Sequence, residues 1–173
     1  MRWSTVALAL LVVVSLSGPA FAATLKVPKA YETIQEAVDA AEAGDTIIVS
    51  KGTYHEHVYA DVAGLRFIGK GAIWDGNIEG SQGVSLEADA DDILVQGFRF
   101  RHGTEQVYIS GDNATVTKCT FTNADDTPVA IYGSGSRVEK CVFRGMDEEA
   151  IYIDGSDAYI AKNRIGNGGD LSL

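Results

Sequence analysis

Four acidic residues, Glu105, Asp126, Glu148 and Asp170, recur at intervals of 21 or 22 residues, with Asp125 and Asp147 beside two of them. Carboxylates brought within a few ångströms repel and raise one another's pKa unless a cation or solvent intervenes. Asp126, Glu148 and Asp170 are therefore candidate oxygen ligands for calcium, the other reading being solvated acidic turns. The same spacing governs other side chains. Tyr108, Tyr132 and Tyr152 offer flat rings with hydroxyls, which suit sugar rings, although tyrosine also favours strands for packing reasons alone. Lys118, Lys140 and Lys162 form a basic series with Arg99, Arg101, Arg144 and Arg164 nearby. It either faces an anionic polysaccharide or keeps a sheet face soluble. His55 and His57 alternate around Glu56, a pair that could ligate a metal but lacks a third ligand. Asn113-Ala-Thr115 is a glycosylation sequon.

The elements that would hold these residues follow from the repeat itself. "VTKCTF" (116–121) and "VEKCVF" (138–143) match at four positions in register and carry both cysteines, Cys119 and Cys141. Stacking the text on them gives four lines, beginning at Val84, Val107, Val129 and Ile151. Each opens apolar-x-apolar and shows a second apolar group further on, separated by Gly, Asp, Asn and Ser. Period-two alternation marks half-buried strands, and those polar residues supply turns. A line of about 22 residues holds two or three short strands that cannot bury their inner face alone, so the lines must stack into a continuous core. This predicts an all-β parallel β-helix. In it, Ser85, Glu87, Tyr108, Ser110, Ala130, Tyr132, Tyr152 and Asp154 point outward. Phe98, Cys119, Cys141 and Asn163 form one inward ladder. The cysteines are expected as stacked, buried thiols rather than a disulfide or half of a zinc site.

Ahead of the repeats, "TIQEAVDAAEAG" (33–44) carries a capping box in Thr33 and Glu36 and one apolar face. A short helix near 33–43, with Gly44 as its C-cap, is expected to cover the open end of the stack, and coils begin at about residue 45. Met1–Ala22 reads as a secretory signal peptide, with Arg2, an apolar run from Val6 to Leu16 and the cleavage-type "AFA". The domain is then 23–173, secreted or periplasmic, with no membrane span after signal removal. Its C-terminal end, "GNGGDLSL", has no evident cap, which suggests a longer β-helix or association through that end. The net charge of −10 disfavours nucleic acid as a direct partner.

"VPKAYETIQEAVDAAEAGDTIIVSKGTYHEHV" (27–58), continued by "LRFIGKGAIWDGN" (65–77), resembles the N-terminal part of right-handed parallel β-helix proteins. That group is the pectin lyase-like superfamily, with its pectinesterases, pectate lyases and NosD-like secreted proteins. The resemblance implies the fold strongly and the activity weakly. Compared with pectinesterases, Gly52–Glu56 matches "GxYxE" and Asp125–Asp126–Thr127 echoes "QDT". This carry-over makes Asp126 a catalytic acid candidate and Gln106 an oxyanion-side candidate; Glu148, one coil on from Asp126, is a further catalytic candidate among the neighbouring acids. The second pectinesterase motif fails at 145–155, "GMDEEAIYIDG", so no nucleophile is assigned. Three functions follow: a polysaccharide-binding module, a carboxylate-based esterase or lyase, or an extracellular spacer. No cofactor beyond calcium is implied, and the oligomeric state stays open.

Overall fold

The computed structural model describes residues 21–78, 83–146 and 148–166, together with the backbone of 170–172. The signal-peptide expectation for 1–22 and Asp147 thus fall almost entirely outside the described residues, as does the Asp170 side chain. The chain begins with β1 (Thr24–Val27), helix α1 (Ile34–Asp39), β2 (Thr46–Tyr54), β3 (Val58–Ala60), β4 (Arg66–Asp75) and β5 (Leu86–Ala88). Four coils of three strands follow. They are β6 (Leu94–Gln96), β7 (Arg99–Arg101) and β8 (Val107–Ile109); β9 (Thr115–Thr117), β10 (Thr120–Thr122) and β11 (Val129–Ile131); β12 (Arg137–Glu139), β13 (Val142–Arg144) and β14 (Glu149–Ile153); and β15 (Tyr159–Ala161), β16 (Arg164–Gly166) and β17 (Asp170–Ser172). All pairings are parallel, each strand with its counterpart one coil away. This is the predicted parallel β-helix.

Two sheets result. The larger has eleven strands, because β4 is long enough to bend round a corner and pair with both β6 and β7. The smaller runs β17-β14-β11-β8-β5-β3. Inward aromatic residues stack on one another. Trp74, Phe100, Phe121 and Phe143 form a column with centroids 5.6, 5.0 and 4.9 Å apart, the last two pairs nearly coplanar at 4° and 8°. Such repetition lets each coil bury its neighbour's apolar face, which no coil could do alone.

Corners need a residue with positive φ, and the chain fills them differently. After the first strand of each coil stand Gly97, Lys118, Lys140 and Lys162, with φ of 80°, 56°, 59° and 60°. The lysines thus occupy corners, not the sheet face expected for them. Elsewhere Asn113 and Asn123 take the left-handed position, as asparagine readily does.

The first repeat differs from its predicted register. Leu86, not Val84, pairs with Val107, and Ala88 with Ile109. Ser85 is consequently buried rather than outward, while Val84 lies ahead of the strand and is half-buried. Equal apolar character at 84 and 86 allowed either frame, and a two-residue slip preserves the alternation. Ala130 also points outward in register but is only 1 % exposed.

The helical cap is present and shorter than predicted. Thr33 Oγ1 accepts from Glu36 N, and the Glu36 carboxylate accepts from Thr33 N, the expected capping box. The helix stops at Asp39, with Ala40 as its C-cap instead of Gly44. Asp45 ends it early: its carboxylate accepts from Glu42 N at 2.9 Å and Ala23 N at 2.6 Å, drawing 42–45 into a turn. β1, ahead of the helix, already belongs to the stack, pairing Thr24 with Thr46.

Candidate functional site

On the outer face of the smaller sheet, Tyr108, Ala130 and Tyr152 occupy one column. The small alanine leaves a gap between the two tyrosines. Tyr132, from the next outward position, closes it: its ring centroid lies 5.2 Å from Tyr108 and 5.5 Å from Tyr152, tilted by 40° and 53°. The three predicted tyrosines therefore form one continuous aromatic strip, and Tyr132, 40 % exposed, is its outermost ring. Burial, followed by the charges of Glu105 and the neighbouring phenols, pushes the Tyr132 hydroxyl up, so it stays protonated.

Acidic groups border the strip. Glu87 shares the register position of Tyr108, and Glu87, Glu105 and Tyr108 line a small depression with Val84. Burial, then the charges of Asp126 and Glu87, raise the Glu105 carboxyl. The Asp126 carboxylate accepts from Thr127 N at 2.8 Å and from Thr127 Oγ1 at 3.3 Å. Glu148 is exposed at the start of the next turn. Among the described residues no group of three His, Cys, Asp or Glu is placed to hold a metal ion. The calcium candidates Asp126 and Glu148 thus do not meet a third ligand there.

Gln106 lies inside the coil, fully buried. Its side-chain amide donates to His102 O at 2.8 Å and Thr122 O at 3.2 Å, so it braces the turn and does not reach a surface oxyanion. Every described arginine lies on a strand of the larger sheet.

The "GTYHE" text has a structural role. Glu56 accepts from Ile34 N and Gln35 N at 3.0 and 3.1 Å, holding the N-terminus of α1, and its carbonyl accepts from Trp74 Nε1 at 2.8 Å. His55 and His57 precede β3 and are exposed, and His57 Nε2 lies 3.1 Å from Glu87 Oε2. Cys119 and Cys141 are buried free thiols. Their Sγ atoms donate to Thr117 O and Glu139 O, each at 3.4 Å. Burial pushes the Cys119 thiol well up, with the adjacent Cys141 adding to the shift. Asn163 completes the ladder, accepting from Cys141 N at 2.9 Å. The sequon residue Asn113 is exposed in a turn.

One constellation has no counterpart in the sequence reading. Asp75, 3 % exposed, receives Arg101 Nε at 2.8 Å on one oxygen and faces His102 Nδ1 at 2.9 Å with the other. His102 and Asp125 line a cleft of about 570 Å³ with Asn77 and the glycines 76, 83 and 103. A carboxylate that fixes Nδ1 leaves Nε2 as the nitrogen available for proton exchange. The 21–22-residue period cannot reveal this cluster, because Asp75 pairs with Arg101 across a longer first coil. Burial pulls the Asp75 carboxyl up, but hydrogen bonds from His102, Asn77 N and Arg101 outweigh it and hold it below the usual range. Its stabilising contribution is therefore complete above the unfolded value, about pH 3.9, and disappears as pH falls through the lower folded value. Acid unfolding followed by circular dichroism should show a shallower loss of stability below pH 4 in Asp75→Asn than in the parent. Identical acid limbs would remove Asp75 from that role.

The stacked three-strand coils and their helical cap define a parallel β-solenoid protein. Residues 64–171 match the family described as right handed beta helix region, and the chain belongs to that family. It is 33 % identical over 129 residues to a cell surface glycoprotein of Methanothermus fervidus, an alignment covering 71 % of this chain and 21 % of the relative. The chain spans about a fifth of the length of that relative. No solved structure matches it. Among the described residues no helix is long and apolar enough to cross a membrane.

Proposed function

We propose that the chain is the β-helix part of an extracellular or cell-surface protein, and that it binds a carbohydrate chain along the Tyr108–Tyr132–Tyr152 strip. The carrying observation is the contact between the three rings on an exposed sheet face, with Tyr132 bridging the gap over Ala130. A pyranose ring has an apolar C–H face that stacks on an aromatic ring, and hydroxyls that reach the flanking acceptors Glu87 and Glu105. Aromatic side chains supply large contact area at low entropic cost. The relative's description as a cell surface glycoprotein supports the location.

Glycan-array binding by the whole protein, followed by titration of the best glycan, tests this reading. Tyr132→Ala should weaken binding by at least about tenfold, the loss typical of a central contact residue. Tyr159→Ala, an exposed tyrosine on β15 of the larger sheet, should leave it unchanged. Absence of binding to every glycan, or equal affinities for parent and Tyr132→Ala, would sink the proposal.

A further inference from the structure

One corner of the coil is left-handed on five successive turns. Gly64, Asp92, Asn113, Gly135 and Asp157 follow one another up the stack, with φ between 58° and 75°. The N–H of each of the first four donates to the carbonyl just ahead of the next. Asparagine takes this conformation readily, so the corner alone accounts for an amide at 113. It does not account for what surrounds that amide. A second asparagine supplies the comparison. Asn123, with φ of 52°, fills another corner and donates its N–H to Arg144 O, just ahead of Gly145.

The two amides have the same surroundings. Both asparagines are exposed, and each meets a glycine on the next coil. A Cβ on Gly135 would lie 2.6 Å from Asn113 Oδ1, and one on Gly145 would lie 2.8 Å from Asn123 Oδ1. Each carbonyl oxygen thus rests in the space its glycine leaves, and each Nδ2 is the branch turned away. Neither Nδ2 has a hydrogen-bond partner among the described residues. What separates the two is the second residue on, Thr115 after Asn113 and Asp125 after Asn123. Thr115 opens β9 in register with Leu94 and Arg137, half-buried, its hydroxyl unpaired among the described residues. Asn-x-Thr with x other than proline is the acceptor pattern for N-linked sugar, and it requires that hydroxyl.

We propose that Asn113 is an N-glycosylation site, taking its sugar from a lipid-linked oligosaccharide. Nδ2 attacks the anomeric carbon of the first sugar. The C–N bond forms as the C–O bond to the lipid phosphate breaks, the phosphate leaving with that electron pair and the amide losing one proton. Ala114 has no solvent exposure and β9 is paired on both sides, so a transferase reaches the segment only before the coil closes. After closure Oδ1 keeps its place over Gly135, and the glycan leaves the corner into solvent without moving a neighbour. The inference rests on the extracellular location proposed above, because transfer from such donors accompanies export.

The test is peptide mapping of the whole protein, recovered from the surface or medium of the cells that make it, with fragmentation that localises the sugar. Trypsin separates the two asparagines, placing Asn113 on peptide 102–118 and Asn123 on peptide 119–137. The first should carry a glycan on Asn113, and Asn123 should be bare. Thr115→Val keeps the β-branched shape without the hydroxyl and should abolish the modification, whereas Thr115→Ser should retain it. Asp125→Thr should add a glycan at Asn123. A bare Asn113 on protein recovered outside the cell would overturn the inference alone. Recovery only inside the cell would overturn the location and the inference with it. A glycan that persists in Thr115→Val, or an Asn123 that stays bare in Asp125→Thr, would each overturn it as well.

Discussion

Phe121→Ala should lower the stability of the protein by about 3–5 kcal/mol, read as a shift of the urea unfolding midpoint. Phe121 has no solvent exposure, and both ring faces are occupied, by Phe100 at 5.0 Å and by Phe143 at 4.9 Å. Removing it opens a cavity that its neighbours cannot close, because parallel ladders on both sides fix their backbones. In a solenoid the stability of each coil is largely an intrinsic contribution plus those of its two interfaces, and this substitution weakens both interfaces of one coil. Unfolding should therefore lose cooperativity, the coils before and after position 121 separating into two transitions. Phe121→Leu should recover most of the loss. A single unshifted transition for Phe121→Ala would mean that the column does not carry the stack.

Gly133→Ala should be nearly as damaging for the opposite reason. Gly111, Gly133 and Gly155 follow one another along a turn, each backbone resting on the preceding coil. A Cβ on Gly133 would run into the carbonyl oxygen of Gly111 and lie 2.8 Å from Asp112 N. Neither group can yield without breaking the turn, where Ser134 N donates to Asp112 Oδ1 at 2.8 Å. Overpacking of this kind costs about 1–3 kcal/mol, and contact with main chain places Gly133→Ala at the upper end. Gly166→Ala is the control: among the described residues a Cβ there meets nothing within 4 Å, and the change should stay within about 0.5 kcal/mol. Thermal denaturation of the two variants side by side checks the contrast. Equal melting temperatures would show that the coils can part at this turn at little cost.

The period was legible because each inward side chain packs against its counterpart one coil away. Phe100, Phe121 and Phe143 therefore had to be similar, and so did Val95, Val116 and Val138. The capping box was legible because it is local, two residues satisfying each other's donors. Where a second register satisfied the same alternation, as at Val84 and Leu86, sequence could not choose. The tyrosines were found by spacing, but their union was not. It depends on Ala130 leaving room for a ring from a different column, a matter of packing that period counting does not reach. Asp75, Arg101 and His102 were hidden because the coil joining them is longer than the rest. The lysine series was visible, yet its left-handed backbone emerges only once the corners are placed.

The rings of Tyr108, Tyr132 and Tyr152 sit on strands locked to their neighbours by main-chain hydrogen bonds, not on loops. Their separation along the axis is thus a constant of the backbone, and no ligand can draw them closer or spread them. In the proposed carbohydrate-binding role such a surface would work as a grating, accepting polymers of different sugar composition but one pitch and rejecting a chain of the right sugars wound to another.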